Sequence, residues 1–214
     1  MSEKQNFFRR AMHTLAGPAT VADVFSHLPV LETPRLILRA MRMTDAQDVF
    51  MFSKDPIVAR HVLWDAHRSI FDSRAYLRAM IHQYREGSPC SYGIILKETN
   101  RLVGTIGFMS FSAENGTAEV GYSLARWLWN RGLMTEALSA VLSMGFTCLP
   151  LNRIEAMHDT ANPASGHVMV KCGMRYECTM RGKIFNKGRY IDVDLYAILR
   201  EDWEALHPGE IAKD

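Results

Sequence analysis

Two neighbouring stretches decide the fold: Ala118-Glu119-Val120-Gly121-Tyr122-Ser123-Leu124 and Trp129-Asn130-Arg131-Gly132-Leu133-Met134-Thr135-Glu136-Ala137. The first is short and partly apolar, as a strand is. The second turns through an Asn and a Gly into a helical pattern ending near Cys148. A strand feeding such a turn and then a helix makes a place for an anion. The first N–H groups of a helix have no internal partners, and the helix dipole adds partial positive charge there. In the plainest reading Asn130 caps the helix, and Gly132 allows a bend and a close approach that a Cβ would block. Beyond it, Leu138, Val141, Leu142, Gly145 and Cys148 recur at helical spacing, a face suited to lying on a sheet.

Upstream of this pair the period is that of strands. Residues 92–97, 102–111 and 117–124 are three strand-like runs with short turn-rich links, which predicts an antiparallel meander. Before them, Ser69 and Asp72 make a capping-box-like start for a helix over residues 69–86, stopped by Gly87-Ser88-Pro89. Thr44 is expected to cap a helix carrying Val49, Phe50 and Phe52 toward a core. Residues 33–40 open the core with a strand whose Pro34 stands at the entrance, where a missing N–H is tolerated.

Residues 1–29 stand apart as an N-terminal helical extension, with residues 30–214 as the main domain. Phe7, Phe8, Ala11, Met12 and Leu15 share one helical face, Gly17-Pro18 breaks it, and Thr20 to Asp23 caps a second short helix through Leu28. The expectation is a helix packed on the core or on a second subunit; a flexible arm is the competing reading. Downstream, residues 153–158 read as a buried strand, 163–172 as a helix, and 174–183 with 190–199 as a closing hairpin. Strands first, then strand–helix–strand–helix–strand, predicts an α/β or α+β mixed sheet.

A chain of 214 residues with net charge +2 is sized for one domain and carries no long basic run. Neither nucleic acid nor a membrane surface is called for, although a local basic patch for the ribosome or an acidic ligand stays open. The apolar run near the N-terminus is too interrupted for a secretory segment or a membrane span. Cys90, Cys148, Cys172 and Cys178 form no C-x-x-C pair and read as reduced thiols in a cytoplasm. The histidines show no metal spacing, so no metal is expected, and His158 and His167 are read as satisfied structural residues.

Two further motifs complete the pattern: Asn162-Pro163-Ala164-Ser165 and Lys171-Cys172-Gly173-Met174. Each has an ordinary structural meaning, the first as a helix start with Asn162 as cap, the second as a helix end with Gly173 as left-handed cap. Taken in order with the opening stretches, they resemble the GNAT acetyltransferase superfamily, and within it the RimJ/RimL-like N-terminal acetyltransferases. The resemblance extends from about Leu31 to Trp203. It implies a GNAT fold: a central, mostly antiparallel mixed sheet flanked by helices, with splayed strands forming an acetyl-CoA cleft.

The resemblance also implies roles. The CoA pyrophosphate would lie on the backbone of Asn130, Arg131, Gly132, Leu133, Met134 and Thr135. This sequence departs from the family's Q/R-x-x-G-x-G/A loop, with Trp129 at the Gln/Arg position and Met134 at the last Gly/Ala position. The backbone of Val120, Gly121 and Tyr122 would hold the acetyl carbonyl and the pantetheine arm. Glu119 would be the general base, which requires burial to raise its pKa; its competing reading is a surface Glu paired with Arg126 or Arg153. Asn162 would touch the pantetheine arm. Ser165 would protonate the CoA thiolate, because the Tyr that many relatives carry seven residues after the Asn is Met169 here. Cys172 is read as a buried thiol and not a nucleophile. Tyr190, Asp192 and Asp194 are either exposed sheet residues or the border of an acceptor slot.

The expected activity is direct transfer of acetyl to a primary amine, most simply a protein N-terminus such as that of a ribosomal protein. The alternatives are a small amine (polyamine, amino sugar or antibiotic) as acceptor, and an acetyl-CoA-binding module without catalysis. Monomer and homodimer are both compatible with the sequence.

Overall fold

A computed structural model describes residues 20–208. The helical face expected over residues 7–15 lies outside that range.

Eight strands form one sheet among the described residues: β1 (Leu31–Glu32), β2 (Leu36–Arg39), β3 (Ser91–Leu96), β4 (Arg101–Ser112), β5 (Thr117–Leu124), β6 (Arg153–Asp159), β7 (Arg175–Asn186) and β8 (Arg189–Leu199). Their order is β1-β2-β3-β4-β5-β6-β8-β7. Every neighbouring pair is antiparallel except β5 and β6. The meander over β3, β4 and β5 and the closing hairpin of β7 and β8 form as the sequence predicts. The mixed sheet is the α/β (α+β) architecture expected.

The helices are α1 (Val21–Ser26), α2 (Ala46–Ser53), α3 (Pro56–Ala59), α4 (Ile70–Glu86), α5 (Leu133–Cys148), α6 (Pro163–Lys171) and α7 (Arg200–Leu206). Local chemistry fixes several ends. Thr20 with Asp23 and Ser69 with Asp72 make reciprocal capping boxes. At the end of α4, Gly87 takes φ +61°, and a Cβ there would lie 2.6 Å from the Ala22 carbonyl oxygen. At the end of α6, Gly173 takes φ +86° while Met174 N–H reaches back to the Met169 carbonyl, a Schellman closure.

Two expectations are corrected. Thr44 does not cap α2: it lies inside a 3-10 turn, Met43–Asp45, that leads into the helix. Buried Asp45 is instead held by Arg39 through two bonds of 2.9 and 2.8 Å and by Arg42 N–H at 2.7 Å. The sequence reading also stops at Leu199, whereas α7 follows and buries Trp203 against Phe146 of α5, ring centroids 5.5 Å apart.

The face of α5 predicted to be apolar is core: Leu138, Val141 and Leu142 are fully or almost fully buried. Gly145 lies so close to the sheet that a Cβ would stand 2.8 Å from Ile154 Cδ1 and 3.1 Å from Phe108 Cζ. That close seat sets the height of α5 over the sheet, and so the position of its N-terminus beside the end of β5.

Candidate active site

The turn into α5 is built by its neighbours. Asn130 takes φ +60°, and Gly132, not Asn130, is the N-cap, with φ +72°. The left-handed backbone is what calls for glycine there, since a Cβ would meet only Arg35 Nη2 at 3.6 Å. The first helical bond runs from Glu136 N–H to the Gly132 carbonyl at 3.1 Å. The N–H groups of Leu133, Met134 and Thr135 precede it and have no partner within the helix. Leu133 and Met134 bury their side chains, so what they offer a ligand is backbone. A small residue at position 134 is therefore not needed to clear the loop.

Glu136 ties this turn to the rest of the protein. Its carboxylate accepts from Thr33 Oγ1 at 2.5 Å, Arg35 N–H at 2.8 Å and Arg35 Nε at 2.7 Å, and Arg35 Nη1 donates to the Arg131 carbonyl at 2.9 Å. Burial alone would raise the pKa of Glu136, but the bonds from Thr33 and Arg35 outweigh it and hold the carboxyl below its ordinary value. Trp129 adds a bond from its indole N–H to the Leu124 carbonyl at 2.8 Å. Partners about a hundred residues away gave no local signal for this anchorage in the sequence.

Strands β5 and β6 pair in parallel at three positions only, Thr117 with Arg153, Ala118 with Ile154 and Glu119 with Glu155, and then separate. A cleft of about 280 Å³ is lined by Glu119, Val120, Gly121, Tyr122, Asn162 and Ser165, with other residues from β6 and β8. All the sequence-predicted residues outside the α5 turn therefore come together. Glu119 is half-buried at the last paired position. Neither cation proposed as its surface partner takes that part: Arg126 binds Asp55, and Arg153 binds Glu155 and Glu177. Burial raises the pKa of Glu119, the Glu155 carboxylate raises it further, and Lys183 opposes both.

Tyr122 and Ser165 bond reciprocally. Ser165 Oγ donates to the Tyr122 phenol oxygen at 3.0 Å, and that phenol donates to the Ser165 carbonyl at 3.0 Å. Burial keeps the phenol well above its ordinary pKa, against a lowering contribution from Ser165. A phenol thus reaches α6 from β5, although position 169 on the helix is a buried Met. Asn162 occupies the N-cap position of α6 without a side-chain cap bond and lines the cleft. Cys172 is buried, with contacts to the Thr135 carbonyl and Ser139 Oγ, and burial raises its thiol pKa.

The segment between α3 and α4 crosses one side of the cleft, which His61, Val62, Leu63 and Trp64 line. His61 Nδ1 lies 2.9 Å from Asp159 Oδ2 at the end of β6. Lys187, in the β7–β8 turn, donates to the Val62 and Trp64 carbonyls at 2.6 and 3.2 Å. This strap was not foreseen, because its fixation again depends on distant partners. Outside it lies a second hollow of about 440 Å³ that includes Arg60, Asp65, Lys187 and Arg189 and shares Asp159 and Ile191 with the cleft. Glu119 and Ser165 do not line it.

Other expectations are adjusted. On β8 it is Ile191 and Val193 that line the cleft, whereas Tyr190 is 72% exposed and packs on Phe185. Asp192 and Asp194 accept bonds from Gly182 N–H and Thr179 Oγ1. His167 is exposed on α6, and His158 is satisfied at one ring nitrogen only.

Among the described residues no helix is long and apolar enough to cross a membrane. Residues 35–175 match the model of the acetyltransferase (GNAT) domain. An uncharacterized N-acetyltransferase, p20 of Bacillus licheniformis, is 33% identical over 176 residues, 82% of this chain and 99% of that protein. The ribosomal protein uS5 alanine N-acetyltransferase of Escherichia coli is 25% identical, with 81% and 92% covered. The structure of RimL, a ribosomal L7/L12 alpha-N-protein acetyltransferase in complex with coenzyme A, superposes with TM-score 0.72 at 21% identity, covering 79% of this chain and 97% of that one.

Proposed function

The chain belongs to the GNAT acetyltransferase family, and from that premise we propose that it moves acetyl from acetyl-CoA to the N-terminal α-amine of a protein, such as a ribosomal protein. The observation that carries this reading is Glu119, half-buried and without a cation partner among the described residues, where β5 and β6 part. A carboxylate with a raised pKa is suited to take a proton from an ammonium, directly or through one water. The similarity to a ribosomal-protein acetyltransferase over 81% of this chain supports a peptide N-terminus as acceptor.

Each part of the chemistry then has a residue. The N–H groups of Leu133, Met134 and Thr135, in the turn from Asn130 through Gly132, receive the pyrophosphate at the positive end of α5. The β5 edge from Val120 to Tyr122, freed where β6 diverges, offers backbone groups to the thioester carbonyl and the pantetheine arm. Asn162 contributes its uncapped amide to the same arm. The amine attacks the thioester carbon, the carbon–sulfur bond breaks with its electron pair on sulfur, and the Ser165–Tyr122 pair stands beside α6 as the hydroxyl source for the thiolate.

Mass-spectrometric detection of acetyl transfer tests this reading. The panel contains peptides with free Ala, Ser, Thr and Met N-termini, polyamines, amino sugars and aminoglycosides. Acetylated peptide N-termini are expected. Modified small amines alone would replace the acceptor assignment, and acetyl-CoA binding without any product would make the protein a binding module.

A further inference from the structure

His158, on β6, is 4% exposed at its side chain and lies in the wall of the cleft. Its Nδ1 is 2.8 Å from the carbonyl oxygen of Asp159. A carbonyl can only accept, so Nδ1 carries the proton, and in the neutral ring Nε2 holds a lone pair. That nitrogen is buried and has no hydrogen-bond partner among the described residues. Leaving a buried acceptor unpaired is costly, so a fold that retains one calls for an explanation.

The surroundings of Nε2 are specific. Asp194, its register partner on β8, places Oδ2 3.8 Å away, beyond a direct hydrogen bond but within reach of an ion pair. Thr179 Oγ1 donates to the other oxygen of that carboxylate, which fixes its position. On the α6 side stands Gly166, next to Ser165: a Cβ there would lie 2.6 Å from Nε2 and 3.0 Å from the Tyr196 hydroxyl. Nε2 and the Tyr196 hydroxyl take the room that a side chain at position 166 would need. Titratable groups facing this space are Asp194 and Tyr196 of β8; Tyr122 and Glu119 of β5 and Asp159 of β6 line the same cleft. From α6 come only Gly166 and Ser165.

We propose that His158, with Asp194 behind it, is a proton-carrying residue of the transfer, taking the proton lost by the attacking nitrogen and passing it to the departing sulfur. This rests on the acetyl-transfer reading and deepens it. Glu119 first accepts one proton from the ammonium and releases it to solvent. The amine attacks, and its nitrogen, now bearing an extra proton, passes that proton through a water to His158 Nε2, which is itself buried. As the carbon–sulfur bond breaks and its pair goes to sulfur, the Ser165 hydroxyl protonates the thiolate and takes its proton back from Nε2–H, which returns the neutral ring with its proton on Nδ1. Asp194 supplies the counter-charge while the ring is cationic. The Ser165–Tyr122 pair thus stays the hydroxyl that meets the sulfur, and His158 resupplies its proton.

The test is the pH dependence of kcat, with KM for both substrates, in His158→Asn and Asp194→Asn. Asn keeps a donor for the Asp159 carbonyl but has no Nε2. The expected result is a loss of about 10²-fold in kcat, KM values within twofold, and disappearance of one limb of the pH profile. Asp194→Asn keeps the imidazole and is expected to lower kcat about tenfold with KM values within twofold, because the cation loses its neighbouring charge. A folded His158→Asn protein with unchanged kcat and profile overturns the proposal. If that variant does not fold, an unchanged kcat in Asp194→Asn overturns it instead. A native protein that acetylates no amine removes the underlying reading, a failure visible before either variant is made.

Discussion

Ser165 Oγ gives its proton to the Tyr122 phenol at 3.0 Å, and the phenol gives its own to the Ser165 carbonyl at the same distance. The two residues come from different sides of the cleft, one from the splayed end of β5 and the other from the first turn of α6. They fix each other's rotamers where a leaving thiolate would need a proton. Tyr122→Phe removes the acceptor for the serine hydroxyl and leaves the ring. We expect kcat to fall about tenfold, toward the low end for a lost proton-transfer partner because a thiolate leaves tolerably without help. Ser165→Ala should fall by a similar factor, and the double variant by little more than either, as members of one unit behave. Steady-state rates on the best peptide acceptor check this; fully additive losses would separate the two residues.

Glu119 gives a pH prediction. Its folded pKa is raised, so the carboxylate needed as base forms only as the pH rises past a value above that of an ordinary glutamate. The kcat/KM profile should therefore have an acid limb displaced upward, and Glu119→Gln should abolish it while lowering kcat/KM about 10²-fold. The sign for stability is opposite to that of a paired carboxylate. The native state holds this proton more tightly than the unfolded chain, so ionisation of Glu119 erodes stability as pH rises through that window. A Gln variant at least as stable as the native protein at neutral pH is the expected melting result.

Glu136 works the other way. Its pKa is lowered by Thr33 and Arg35 despite burial, so its stabilisation is present above the unfolded glutamate pKa and lost as pH falls through the folded one. Glu136→Gln weakens charge-assisted bonds worth about 1.5–3 kcal/mol each at most, and Arg35 is half-exposed, which reduces the net effect. The expected outcome is a modest drop in melting temperature with a larger rise, about tenfold, in the dissociation constant for acetyl-CoA, read by titration calorimetry. A melting change with unaltered affinity would disconnect this anchor from the turn.

The strap over residues 60–66 should govern the acceptor and not the acetyl donor. Lys187→Met removes the two bonds to the Val62 and Trp64 carbonyls while leaving the turn into α5 untouched. KM for the acceptor is expected to rise about fivefold or more, as for one lost charged bond, with KM for acetyl-CoA constant. Initial-rate measurements with each substrate varied separately decide it.

What the sequence made legible was local. Ser69 and Asp72 announce α4 because both halves of the capping box lie within one turn, and alternation and turn residues announce the meander. The grouping of Glu119, Tyr122, Asn162 and Ser165 was accessible through the order of the motifs and the family they resemble. The failures have a common cause in distance along the chain. Glu136 is bound by Thr33 and Arg35, and Lys187 holds a strap more than a hundred residues earlier. At His158 strand alternation shows burial, but not that Nε2 faces a glycine and a carboxylate. The misplaced cap at Asn130 reflects two left-handed residues in one turn, of which Gly132 takes the N-cap position.

The most direct test of the central claim uses one peptide that carries both a free Ser N-terminus and an internal Lys, incubated with acetyl-CoA and either the native protein or Glu119→Gln. Fragmentation mass spectrometry locates the acetyl group. The account predicts acetyl on the α-amine, formed about 10²-fold more slowly by the variant. Acetyl on the Lys side chain alone, no peptide product beside an acetylated polyamine control, or equal rates for the two proteins would contradict it.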